Sequence, residues 1–236
     1  MKSTHSVAIV TPYYKEPISV IRHAHESVLN QTVDCLHVLV SDGYPHQAID
    51  SWSADHVVLP RSHHDIGSTP RLIGAIHAIG LGVDAVAFLD ADNWYEVDYI
   101  SSMLQCARET KADFISTSRS LFTPNGDFIG HCPNTDPNTF IDTNCMFFLR
   151  GSFHMLHHWV LMPSYGHLIG DRIILHYLNQ SDLRCAHLAE HKVCYRCSKA
   201  GIYRQLSLSV PEGVSEPPSY HRSFQQWVED GNPPLV

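Results

Sequence analysis

Apolar positions in the first half of the chain follow two alternating rhythms. Val7 to Val10 is a short β-branched run closed by Thr11-Pro12-Tyr13-Tyr14, which predicts a strand. Residues 18–29 place Ile18, Ile21, His25, Val28 and Leu29 at helical spacing. Leu36 to Val40, closed by Ser41-Asp42-Gly43, predicts a second strand, and Val57 to Leu59 a third. Residues 70–81 carry Leu72, Ile73, Ile76 and Ile79 behind Pro70, the pattern of a helix with proline near its start. Ala85 to Leu89 predicts the next strand and 97–109 the next helix. Strands alternating with helices imply a mostly parallel sheet covered on both faces.

The second half is less regular. Phe114 to Ser118 and Cys145 to Leu149 read as strands, and 170–178 as a helix with Asp171 in its first turn. Residues 121–140, rich in Pro, Asn, Asp and Gly, read as a loop or hairpin. Beyond Leu206 the prolines at 211, 217, 218, 233 and 234 predict an extended tail, a candidate homodimer contact. The division expected is a single α/β domain with a nucleotide-sugar half (1–112), an acceptor half (113–205) and the Pro-rich tail (206–236).

Open α/β sheets bind ligands beyond the carboxyl ends of their strands. Thr11, Asp42, Asp90 and Asp92 all fall there. Asp90 and Asp92 are spaced i, i+2 at the end of an apolar run, which in a strand turns both carboxylates to one face. Such a pair suits a hard cation, Mn²⁺ or Mg²⁺, working on a phosphate-bearing substrate.

Composition narrows the class further. The 236 residues carry a net charge of −8, which gives no overall basic field for nucleic acid. No apolar run approaches membrane-spanning length, and Met1-Lys2-Ser3-Thr4-His5 does not read as a signal peptide. Seven scattered cysteines fit reduced thiols and a cytoplasmic setting. Cys194-x-x-Cys197, near Cys185, His187 and His191, has zinc-ligand spacing but no second Cys pair, so buried thiols and surface histidines are expected. His63-His64 and His157-His158 are candidates for an acceptor pocket among 18 mostly surface histidines.

Six motifs in order make the chain resemble a family 2 glycosyltransferase of the GT-A fold, from about residue 7 to 198. Val7 to Tyr14 resembles the family's opening strand and nucleotide loop, and Ser27-Val28-Leu29-Asn30-Gln31-Thr32 its Ser-Val/Ile-Leu-x-Gln-Thr segment. Ser41-Asp42-Gly43 resembles Asp-Asp-Gly with Ser41 replacing the first Asp. Asp65-x-Gly67 with Arg71 and Gly74 resembles Asn-x-Gly…Arg-Asn-x-Gly, with Leu72 in place of Asn. Asp90-Ala91-Asp92 is similar to the family's Asp-x-Asp, and Ile169-Gly170-Asp171 to the base motif of spore-coat-polysaccharide-type members.

The resemblance implies an inverting transfer of a sugar from a nucleoside-diphosphate donor, a UDP-sugar by expectation, to an acceptor hydroxyl. It implies nucleotide contacts from Thr11, Tyr13, Glu16, Asp42, Arg71 and Asp90, metal contact from Asp92, and Asp171 as general base. Asp171 is equally suited to be a first-turn acid of its helix, and Asp42-Gly43 to be a plain turn. The acceptor class, whether glycan, lipid-linked or small molecule, has no readable motif. Ser198 stands where many relatives place a metal-binding His, leaving Asp92, diphosphate and water, or a swung-in His187 or His191. A nucleotidyltransferase is the alternative enzyme, but the loop after the first strand lacks the glycines that cradle a triphosphate. A degenerate, non-catalytic nucleotide-binding member is the other alternative.

Overall fold

A computed structural model describes residues 6–235; the Met1-Lys2-Ser3-Thr4-His5 segment lies outside them. One nine-stranded sheet runs through the molecule. Its first half is parallel. β1 (Val7–Tyr13) lies between β2 (Leu36–Asp42) and β4 (Ala85–Phe88), and β3 (Asp55–Leu59) forms the edge. The predicted α/β architecture is present, with α1 (Ile18–Leu29) on one face of these strands and α2 (Ser68–Gly80) on the other. Alternation decides which residue meets which helix. Leu39 and Tyr13 cluster with Ile21 of α1, whereas Val10 and Val40 face α2.

Gly74 makes the α2 contact possible. A Cβ there would stand 2.5 Å from a methyl of Val10 and 2.8 Å from one of Val40, so only glycine lets the helix come this close to the sheet.

The second half of the sheet is mixed. β8 (Met146–Leu149) runs antiparallel to β4 and to β6 (Phe114–Phe122). β6 then pairs in parallel with the twelve-residue β9 (Cys185–Arg196), and β9 takes the two-residue β5 (Trp94–Tyr95) at the far edge. The Pro- and Gly-rich stretch forms a hairpin, β7 (Phe128–His131) against β6. α3 (Tyr99–Thr110), α4 (His158–Leu161), α5 (Gly170–Gln180) and α6 (Ala200–Gln205) complete this half.

The expected extended tail is not what folds. Residues 221–229 form a helix, α7 (His221–Glu229), whose Trp227 is 2% exposed and packs edge-on to His176 and Tyr177 of α5. Prolines on both sides of it left the helical segment itself free of breakers. Among the described residues no helix is long and apolar enough to cross a membrane.

The cysteines are all free. Cys194 and Cys197 are buried as expected, but Cys185 is exposed. The neighbouring histidines are half-buried: His187 contacts the hydroxyls of Ser116 and Ser118, and His191 stacks on His131 at 3.8 Å. No group of three or more His, Cys, Asp or Glu among the described residues is placed to hold a metal by itself.

Candidate active site

The carboxyl ends of β1, β2 and β4 open into one cavity of about 440 Å³, inside the ~300–1,000 Å³ range of small-molecule sites. Tyr13, Glu16, Asp42, Arg71, Asp90 and Asp92, six of the residues implicated from the sequence, line it, together with Tyr14, His64, Asp65 and Ile66. Thr11 does not. It is fully buried, and its hydroxyl meets His37 Nε2 at 2.9 Å on the α1 side of β1. The strand continues through Tyr13, so Thr11 obeys the two-residue alternation of a strand interior and cannot turn its side chain out at the strand end.

Asp90 and Asp92 lie beyond the end of β4 in a turn closed by the Asn93 N–H to Asp90 carbonyl bond of 3.0 Å. The argument from strand alternation therefore does not apply to them, although both reach the cavity. Asp90 is pinned from two sides. One oxygen accepts Arg71 Nη2 at 2.5 Å and the other accepts Asn144 Nδ2 at 2.9 Å. Asp92 is held through its main chain, whose carbonyl accepts Arg196 Nε at 3.0 Å while Asn93 Oδ1 accepts the Arg196 N–H at 2.8 Å. Burial, then the charges of Asp90 and Glu16, push the Asp92 carboxyl up to about 7.

Tyr13 and Asp42 are also built in. Tyr13 hydroxyl meets His56 Nε2 at 2.6 Å, and His56 Nδ1 meets Asp50 at 2.6 Å. The His46 N–H donates to the same hydroxyl at 3.2 Å. Tyr13 is nearly buried, with the rings of His46 and His56 stacked on it at 5.9 Å each, so little of it is open to the cavity it lines. Asp42 accepts from the His63 N–H at 3.1 Å, from His63 Nδ1 at 2.7 Å and from Ser62 Oγ at 3.0 Å. Gly43, at φ +85°, allows this: a Cβ there would lie 2.5 Å from the Ser62 nitrogen. His64 therefore lines this cavity, and His63 stands behind it against Asp42. His157 is exposed and His158 stacks on Tyr177 at 3.8 Å, where burial pushes its imidazole down to about 4.

Asp171 opens α5, away from this cavity wall. One of its oxygens accepts the Arg172 N–H at 2.8 Å. Burial and the nearby Asp142 push its carboxyl up to about 6. Asp142 in turn forms a buried ion pair with Arg119, whose guanidinium lies 4.2 Å from the Tyr195 ring centroid. Ser198 is exposed and does not line the cavity, and its carbonyl accepts the Ser215 N–H at 3.2 Å.

Sequence reasoning missed Asn144, Asp142, Arg119, Arg196 and His56. Asp142-Thr143-Asn144, an Asx-type turn entering an apolar strand, was the one readable signal among them.

With this geometry in place, the family can be stated. The glycosyl transferase family 2 model matches residues 8–172, and the chain belongs to that family. The chain shares its fold with S. aureus TarS. A structure of TarS residues 1–349 with UDP aligns at TM-score 0.61 and 15% identity, over 83% of this chain and 60% of that one. The same fragment with UDP-GlcNAc aligns at TM-score 0.61 and 12% identity, over 96% and 65%. TarS itself aligns at TM-score 0.61 and 14% identity, over 97% of this chain and 42% of that one. The chain thus spans about two fifths to two thirds of the lengths it matches. No curated protein sequence matches it.

Proposed function

We propose that the protein is an inverting, metal-dependent glycosyltransferase that moves a sugar from a UDP-sugar to an acceptor hydroxyl. One observation carries the reading. Glu16, Asp90 and Asp92 share one wall of a nucleotide-sized cavity, and burial first, then repulsion from Asp90 and Glu16, pushes the Asp92 carboxyl up to about 7. A divalent cation relieves this repulsion, so the donor set fits one. Mg²⁺ commonly takes one or two protein carboxylates and completes its shell with substrate phosphates and water. Asp92 is the residue to hold it, and Mn²⁺ is the alternative ion. When bound, it offsets the charge that builds on the departing diphosphate.

The chain's own residues supply the rest. Arg71 and Asp90 form one fixed unit at the mouth of α2, suited to the ribose and phosphate end of the donor. Tyr13, Asp42 and Glu16 bound the nucleoside end. Asp171, ionised, removes the proton of the acceptor hydroxyl as it attacks the anomeric carbon. A base separate from the leaving-group wall gives a single displacement with inversion. The complexes of TarS with UDP and UDP-GlcNAc support the choice of a uridine donor.

The test is calorimetry of UDP, GDP, dTDP and CDP with and without Mn²⁺. UDP is expected to bind in a metal-dependent way, and binding is expected to vanish in Asp92→Ala. Failure of every nucleotide to bind with metal present sinks the reading.

A further inference from the structure

We infer that Asn144 is a positioning residue whose one carboxamide holds the donor-side Asp90 and the buried Asp142 in a fixed register. The inference rests on the glycosyltransferase reading for what the two sides do, but its geometry is independent of it.

Asn144 has no exposed surface. Its Oδ1 accepts the Asp90 N–H at 2.6 Å, and its Nδ2 donates to Asp90 Oδ2 at 2.9 Å. The same Nδ2 donates to Asp142 Oδ1 at 2.7 Å, and the Asn144 backbone N–H donates to that oxygen at 3.0 Å. Both amide protons and one carbonyl lone pair are thus committed. Only Asn or Gln offers two donors and an acceptor on one planar group, and the geometry fixes which end of the amide is nitrogen. An aspartate in its place would set a third carboxylate between two others with no proton to share.

The two clamped acids are the inner ends of two separate pairs. Asp90 continues to Arg71, which lines the cavity, and Asp142 continues to Arg119. The run Arg71–Asp90–Asn144–Asp142–Arg119 joins the end of β4 to the middle of β6 through the strap that enters β8. Asp142 also faces Asp171 closely enough to bear on its charge, alongside Arg172 and Arg119. Asn144 therefore keeps Asp90 turned toward Arg71 while spacing Asp142 from it. Every polar group of the Asn144 carboxamide is paired, whereas Nε of Arg71 and of Arg119, at the two ends of the run, is buried without a hydrogen-bond partner, so the fixed register is a property of the run's centre.

The test uses Asn144→Ala and the same-sized Asn144→Asp in the whole chain. UDP affinity with Mn²⁺ is read by calorimetry, and donor KM and kcat by UDP release. Both variants are expected to weaken UDP about tenfold, with binding stoichiometry near one for the folded fraction, and to raise donor KM. A merely structural role lowers Tm and stoichiometry but leaves the affinity of the folded fraction unchanged. Wild-type affinity in either folded variant overturns the inference alone. A wild-type protein that binds no nucleoside diphosphate overturns the glycosyltransferase reading and this inference with it.

Discussion

The two halves of the sheet set their acids among different neighbours. In the parallel half, Asp42 at the end of β2 and Asp90 and Asp92 in the turn beyond β4 stand on either side of β1 and line one cavity. Their placement follows from topology, and their charges are partly offset by local donors such as His63 and Arg71. In the mixed half, Asp142 and Asp171 sit behind short turns among buried aromatic and cationic groups, with Arg119 as the matching charge. An open wall of acids suits a ligand that brings its own cation. Burial raises an acid in each half, Asp92 to about 7 and Asp171 to about 6, so the neighbours separate them: Asp92 shares a cavity wall with two further carboxylates, whereas Asp171 stands beside the Asp142–Arg119 pair, a setting that suits a group exchanging a proton.

Asp171→Asn separates the two halves most sharply. The transfer kcat is expected to fall about 10³-fold while UDP affinity stays at the wild-type value. Equal losses in both quantities would mean that Asp171 belongs to the donor wall. Next in size is Trp227→Ala, which empties the contact between α7 and α5. Stability is expected to drop by about 3–5 kcal/mol in denaturant melts, with transfer at moderate temperature suffering more than UDP binding, because α5 carries Asp171. Gly74→Ala strikes the other half. The added methyl is expected to cost about 1–3 kcal/mol and to weaken UDP by displacing Arg71, leaving the pH profile unmoved.

The smallest effect is on pH. The proposed mechanism needs Asp171 ionised, so transfer is expected to fall as pH drops through about 6, the value to which burial and Asp142 raise Asp171. Asp142→Asn removes the second of these causes and is expected to move that acid limb to lower pH. Stability has the opposite sign. A carboxyl raised on folding favours the folded state fully below about pH 4, and that contribution is lost as pH rises through about 6. Asp171→Asn is therefore expected to melt a few degrees above the wild type at pH 8, with the gap closing toward pH 4.

The same contrast explains what could be read without coordinates. The parallel half was legible because strand alternation and βα order place side chains by simple parity, and six of the implicated residues do meet in one cavity. Strand length explains the miss at Thr11: it shares its parity with Tyr13, but the strand ran three residues past the β-branched run, so Thr11 lies inside the sheet with its hydroxyl on His37 and of the two only Tyr13 reaches the cavity. The clamps were illegible for another reason. Asn144 lies 54 residues from Asp90, and Arg196 lies 104 from Asp92, so no local pattern links them. The C-terminal helix was hidden by flanking prolines that punctuate it without entering it.

Arg196 carries a consequence for how the molecule is made. The turn bearing Asp92 is fastened by β5 pairing with β9 and by Arg196 gripping Asp92 and Asn93. During synthesis the parallel strands emerge first and can assemble around α1 and α2. The acidic turn stays unfastened until residue 196 has left the ribosome, so a chain cut short before β9 has its parallel strands in place and the turn bearing Asp92 unfinished.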